Sequence, residues 1–282
     1  SGIVVPELRS PTRRENENID QTIETVYANS GAFDMRQLQL QSWSQRGAEI
    51  DGQAAGDLSG SVAFSSDGTV LAIGAVGNDG NGLDSGRVRV YTWSGTAWNQ
   101  RGADINGEAA GDESGRSIAL SSDGTVLAIG GDGSDGSGSG SVTGFGHVRV
   151  YIWSGTAWNQ RGADIDGEAD RDQSGFSVDL SSDGTVLAIG APFNGGNGLF
   201  SGHVRVYIWS GTAWNQRGAD IDGEALALGD LSGSSVALSS DGNILAIGAH
   251  YNDGGGPESG HVRVYTWSDT AWSQRGVDVD GQ

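Results

Sequence analysis

The chain contains no cysteine and no lysine, and it has one methionine and four prolines in 282 residues. Without cysteine there are no disulfide staples, no thiolate metal ligands and no sulfur nucleophile, and the redox compartment leaves no trace in the sequence. Without lysine there is no amine nucleophile and no Schiff base. All 16 basic residues are arginine, which favours fixed, planar, bidentate pairing over mobile ammonium groups. No apolar run approaches the roughly 20 residues of a membrane-spanning helix. The longest, such as Val70-Leu71-Ala72-Ile73, are strand-sized, so a soluble chain is expected. Basic residues are also few against 36 acidic ones, giving a net charge of −20 and a pI near 4.3. That charge repels phosphate backbones, so nucleic acid and anionic membranes are poor partners, while cations, basic proteins and neutral sugars remain. The chain starts at Ser1 with no initiator methionine and reads as a mature product or an excised fragment.

What the sequence does contain is one passage repeated. Trp-x-Gln-Arg-Gly occurs at Trp43, Trp98, Trp158, Trp214 and Trp272, at intervals of 55, 60, 56 and 58 residues. Intervals of that length filled with strand-like text predict propeller blades. Within one repeat, Ser61–Ser65 alternates, Asp67-Gly68 follows, and Thr69–Gly74 alternates back. Asp-Gly between such runs predicts a hairpin with a two-residue type I′ turn, setting Phe64 opposite Leu71 and Val62 opposite Ile73. The 49 glycines therefore mark tight bends rather than disorder. A second hairpin, residues 86–105, turns at Ser94-Gly95-Thr96-Ala97 and places Trp93 opposite Trp98, a cross-strand aromatic pair with a structural role. The same register, continued, puts Arg87 opposite Asp104, His147 opposite Asp164, His203 opposite Asp220 and His261 opposite Asp278. Three histidines at one equivalent position belong to three separate blades, so they read as partners of aspartate rather than as one metal set.

The fold expected is all-β, a propeller of four-stranded antiparallel blades. Four are clearly repeated, over 59–112, 114–172, 174–230 and 232–282, and residues 36–50 repeat the later half of another, for about five blades. Residues 1–35 read as an N-terminal linker or divergent half-blade, with strand-like 2–5 and 23–27 beside Pro6, Pro11 and the Arg9, Arg13, Arg14 cluster. The domain proper is 36–282. Asp280-Gly281-Gln282 matches Asp51-Gly52-Gln53, where another blade would begin, which suggests that the natural chain continues.

Ser174-Gly175-Phe176-Ser177-Val178, then Ala188-Ile189-Gly190-Ala191-Pro192, then Gly202–Tyr207 resembles the FG-GAP repeat of integrin-α-like propellers. The likeness covers about residues 36–282. Such propellers imply binding and adhesion at the cell surface, with calcium held in an Asp-rich loop between the first two strands. Here that loop is cut to Ser-Ser-Asp-Gly, which lacks the six or more oxygens calcium takes.

Function is expected on one face. Turns after the first and third strands are nearly identical in all four blades, whereas the loops after the second strand, 76–85, 132–146, 192–201 and 250–259, differ. Binding resides on such loops, so Asp79, Phe193, Asn194, His250, Tyr251, Asn252 and Asp253 are the candidate ligand contacts, for sugar hydroxyls or a protein. Asp79 with Asp84, and Asp132 with Asp135, are the candidate calcium ligands. The interblade loops repeat alternate carboxylates, Asp164, Asp166 and Glu168, then Asp220, Asp222 and Glu224. They read as turn caps before cation ligands. Catalysis finds no specific support, because abundant aspartate makes a carboxylate pair uninformative. The leading expectation is a non-enzymatic extracellular or surface binding and adhesion propeller. The alternatives are an assembly subunit, with contacts to other copies or chains, and a glycan-active enzyme.

Overall fold

The computed structural model describes residues 44–133, 144–224 and 229–281. The chain divides into two compact units, Ser1–Gln45 and Arg46–Gln282, and every described strand belongs to the second. The expected first-half blade in residues 1–35 and Trp43 lie outside the described residues, as does Asp135.

Four sheets follow one another. The first is built of β1 (Ser59–Phe64), β2 (Val70–Ala75), β3 (Arg87–Trp93), β4 (Trp98–Gln100) and β5 (Ile105–Asn106). The second holds β6 (Ser117–Leu120), β7 (Val126–Gly131), β8 (His147–Trp153), β9 (Trp158–Gln160) and β10 (Ile165–Asp166). The third holds β11 (Ser177–Leu180), β12 (Val186–Ala191), β13 (His203–Trp209), β14 (Trp214–Gln216) and β15 (Ile221–Asp222). The fourth holds β16 (Ser235–Leu238), β17 (Ile244–Ala249), β18 (His261–Trp267), β19 (Trp272–Gln274) and β20 (Val279–Asp280). Each sheet is antiparallel, runs from first strand to outer hairpin, and is a propeller blade. The described residues contain no helix.

The hairpin registers are those the alternation predicts: Phe64 pairs Leu71, Val62 pairs Ile73, and Trp93 pairs Trp98. The Asp-Gly turn is a four-residue loop instead of a two-residue one. Gly68 alone takes positive φ, and Asp67 does not. Side chains replace the last rungs of the ladder. Thr69 N–H donates to Asp67 Oδ1 and Val70 N–H to Ser65 Oγ, both at 2.9 Å.

The outer strand also departs from expectation. Tyr91 pairs Gln100, yet Val88 pairs Ile105, so two extra residues bulge out of the outer strand. The bulge sits at Gly102, whose φ of 86° suits glycine. Arg87, His147, His203 and His261 therefore pair Asn106, Asp166, Asp222 and Asp280, two positions beyond the expected aspartates. The expected side-chain partners still reach back: Asp104 Oδ2 lies 2.8 Å from Arg87 Nη1, and Asp278 Oδ2 lies 3.5 Å from His261 Nδ1.

Blades stack in sequence order with their first strands adjacent. Val70, Ala72, Val88, Val90 and Ile105 of the first blade bury against Leu127, Ile129 and Tyr151 of the second, and the pattern repeats down the stack. The inner seam depends on glycine. A Cβ on Gly74, Gly130 or Gly190 would stand 2.2, 2.0 or 2.1 Å from the carbonyl oxygen of Gly115, Gly175 or Gly233 in the next blade. Beside it, Ser117 Oγ donates to Gly175 O and Ser177 Oγ to Gly233 O, at 2.7 and 2.8 Å.

The outer seam explains the repeated pentad. Trp158 Nε1 donates to Arg101 O at 2.9 Å, and the Arg101 guanidinium lies 4.8 Å from the Trp153 ring and 5.5 Å from the Trp158 ring. Arg46, Arg161 and Arg217 grip the next tryptophan pair in the same way. The tryptophans pair within a blade, and the arginine of the preceding blade clasps them.

Among the described residues nothing covers the same face of the fourth blade. Val88, Val148 and Val204 are 0% exposed while Val262 is 40% exposed, and Ile105, Ile165 and Ile221 are 7% exposed while Val279 is 62% exposed.

Candidate functional site

The loops after the second strands differ in sequence but share a scaffold. Asn78, Asn194 and Asn252 are buried at equivalent positions. Each accepts through Oδ1 from the N–H two residues on, Gly80, Gly196 and Gly254. Asn78 Nδ2 donates to Asp57 and Asn194 Nδ2 to Asp172, both at 2.9 Å. Asn194 and Asn252 were expected as ligand contacts, but the structure places them inside the scaffold as loop anchors. A polar side chain buried this deeply is retained because it is hydrogen-bonded, not because it faces solvent. Reading the loops for their differences hid a position that three of them share.

Asp79 and Asp253 serve the same loops. Asp79 Oδ1 accepts from Asp84 N–H at 2.9 Å and Asp253 Oδ1 from Glu258 N–H at 2.7 Å. The loops then pass through a left-handed residue, Asp84, Phe200 or Glu258, with φ between 52° and 56°. In the second blade Asp132, at the position of Val76, Pro192 and His250, is a buried carboxylate. Burial pushes its carboxyl up to about 6 against the pull of Arg116, whose Nε stands 3.5 Å away. Its Oδ1 has no partner. An acid held in this way is a poor calcium ligand. Asp79 and Asp84 are joined to each other through the backbone, and Asp132 belongs to another blade.

The aromatic candidates come forward in pairs. Phe193 and Phe200 meet edge to face at 5.7 Å, and His250 and Tyr251 lie 4.5 Å apart. Phe200 and Tyr251 are exposed, with Leu83 and Leu199 on the corresponding loops. His250 Nδ1 is 2.8 Å from Ser234 Oγ, but that hydroxyl donates its proton to Leu231 O. The histidine is thus the donor to the serine, the reverse of general-base polarity.

The interblade carboxylates gather around the histidines that sequence reading set aside. Among the described residues, Glu168, His203 and Asp220 form one cluster and Glu224, His261 and Asp278 another, each with its ligand atoms within 4.8 Å. Both histidines are buried. Burial holds the His203 imidazole below its ordinary range, and Arg205 adds to that. No pattern of near neighbours in sequence joins these residues. They come from an interblade loop, a third strand and an outer strand.

Residues 221–265 match the family model of the FG-GAP repeat. This chain carries an FG-GAP repeat. The FG-GAP match runs from the outer strand of the third blade to the third strand of the fourth, and the same arrangement recurs in the preceding blades. No curated protein sequence matches the chain. Among solved structures, a complex of KlAtg21 with the coiled coil of AgAtg16 is 12% identical, with a TM-score of 0.50 over 79% of this chain and 58% of that one. Kuenenia stuttgartiensis hydrazine synthase is 14% identical, with a TM-score of 0.48 over 84% of this chain and 53% of that one. The β-propeller domain of the Trilobed protease from Pyrococcus furiosus is 9% identical, with a TM-score of 0.45 over 77% and 57%. The chain spans between half and three fifths of those chains. What the likeness supports is the propeller fold, and FG-GAP propellers point to a binding or structural role.

Proposed function

We propose that this FG-GAP propeller is a non-catalytic binding and adhesion module of the extracellular space or cell surface, recognising a glycan or protein through the loops after its second strands. The observation that carries the reading is Phe200. An aromatic residue held at a φ of 56° and exposed to solvent stands where the equivalent residues are Asp84 and Glu258. Bulky residues in left-handed conformation are disfavoured, and such outliers concentrate at functional sites. With Phe193 and Tyr251 it offers stacking surfaces among the exposed polar groups Asp253 and Asn197, the mixture that sugar rings and protein side chains use. The reversed polarity at His250 and Ser234 supports binding over catalysis.

Glycan and extracellular-protein arrays probed with the native chain, Phe200→Ala and Tyr251→Ala test the reading. Signals lost in both variants support it. Signals retained in both, and in a chain whose 250–256 loop is replaced by residues 76–82, overturn it. A second reading, assembly, has its own observation: the uncovered fourth-blade face with Val262 and Val279. The complement to that face is another blade of this repeat. Concentration-dependent self-association that Val262→Asp with Val279→Asp abolishes would favour it.

A further inference from the structure

His203 is 1% exposed, its Nε2 has no hydrogen-bond partner, and its Nδ1 stands 4.0 Å from Glu168 Oε2, beyond hydrogen-bond reach. A buried imidazole left this way is costly. The separation is too long for a hydrogen bond and within about an ångström of the roughly 3.4 Å between two tetrahedral ligands each about 2.1 Å from one ion. The surrounding carboxylates are already oriented. Asp220 Oδ1 accepts from Gln216 Nε2 at 2.6 Å, which leaves its other oxygen free. Glu168 Oε1 faces Arg205 Nη1 at 3.8 Å, which leaves Oε2 toward the imidazole. Outer partners of this kind fix ligands at metal centres.

The first blade supplies an independent comparison. Arg87 occupies the histidine position, and its guanidinium enters the equivalent space. Nη1 meets Asp104 Oδ2 at 2.8 Å and Nη2 meets Asn78 Oδ1 at 2.7 Å. Asp104 is in turn bonded by Gln100, as Asp220 is by Gln216. The fold thus places a positive charge at this point where the side chain can carry one.

We propose that in the third blade His203, Glu168 and Asp220 bind a divalent transition-metal ion of the zinc class, and that His261, Glu224 and Asp278 repeat the site in the fourth. One nitrogen and two carboxylate oxygens suit zinc or cobalt, with water completing a tetrahedron. Calcium requires more oxygens and disfavours imidazole. Glu168 and Asp220 are not buried, so ion and water have access. The site differs from the hairpin where FG-GAP resemblance implies calcium, and it clasps an interblade loop to the blade that follows.

Titration of the full chain with Co²⁺, followed by visible absorption and by calorimetry with Zn²⁺, tests the proposal. Two equivalents are expected, unaffected by millimolar calcium. Asp220→Asn or Glu168→Gln is expected to weaken one of them at least about tenfold. His203→Arg reproduces the first blade, and it is expected to remove one equivalent and keep the fold. Absence of saturable Co²⁺ and Zn²⁺ binding by the native chain overturns the proposal. So does an unchanged stoichiometry in His203→Arg, or, if that variant fails to fold, in the double variant Glu168→Gln with Asp220→Asn.

Discussion

Replacing Asp132 by asparagine should stabilise the protein at neutral pH, because a carboxylate is buried there where the other blades place Val76, Pro192 and His250. Asp132 is buried and its Oδ1 has no hydrogen-bond partner. Burial, opposed by Arg116 and reinforced by Glu113, moves its pKa from 3.8 to about 6. At 1.36 kcal/mol per pH unit, the gap between 3.8 and about 6 amounts to about 3 kcal/mol. The sign follows from proton binding. Between those values the folded state holds the proton and the unfolded state does not, so stability falls as pH rises through the window and stays reduced above 6. Asparagine removes the charge. Its expected gain at pH 7 is about 2 to 3 kcal/mol, or about 4 to 12 °C in melting temperature for a domain of this size. Urea denaturation of both proteins at pH 7 and pH 4 measures it, and the gain should shrink toward zero at pH 4, where the folded protein holds the proton. An Asp132→Asn protein no more stable than the native one at pH 7, or a difference that does not change with pH, refutes the reasoning.

The seam glycines make a paired prediction. Gly130→Ala drives a Cβ to 2.0 Å from the Gly175 carbonyl and should prevent folding or cost more than about 3 kcal/mol, whereas Gly248→Ala meets only the rotatable Ser235 hydroxyl and should cost about 1. Equal losses in thermal melts would show that the fourth-blade face is covered. Trp158→Ala removes a half-buried ring, its bond to Arg101 O and the guanidinium above it, a loss of about 2 to 3 kcal/mol read by urea denaturation. A melting shift under one degree would show that the clasp is idle. Phe200→Gly relieves left-handed strain while deleting the ring, so stability should hold within about 1 kcal/mol as array binding disappears. Retained binding would remove Phe200 from the site.

Blades, hairpin registers and the tryptophan pairs were legible because alternation has a period of two, and four copies of one passage average out local ambiguity. The site was less so. Asn194 and Asn252 look like surface polar residues in glycine-rich loops, and only the bonds to Asp172 and Gly254 reveal them as anchors. The outer-strand bulge could not be foreseen, because Arg-Gly-Ala continues a strand as readily as it interrupts one, and its two extra residues shift the strand pairing of His147, His203 and His261 by two positions.

The sequence alone determined that this chain is a tandem array of antiparallel hairpins, because strand alternation and turn chemistry are local properties. Tertiary structure decided what those residues touch. Arg101 grips the tryptophans of another blade, Gly130 makes room for a carbonyl that comes from 45 positions further along the chain, and Glu168 meets His203 across an interblade loop. Contacts between repeats depend on how blades stack, and stacking is a property of surfaces that no single repeat contains.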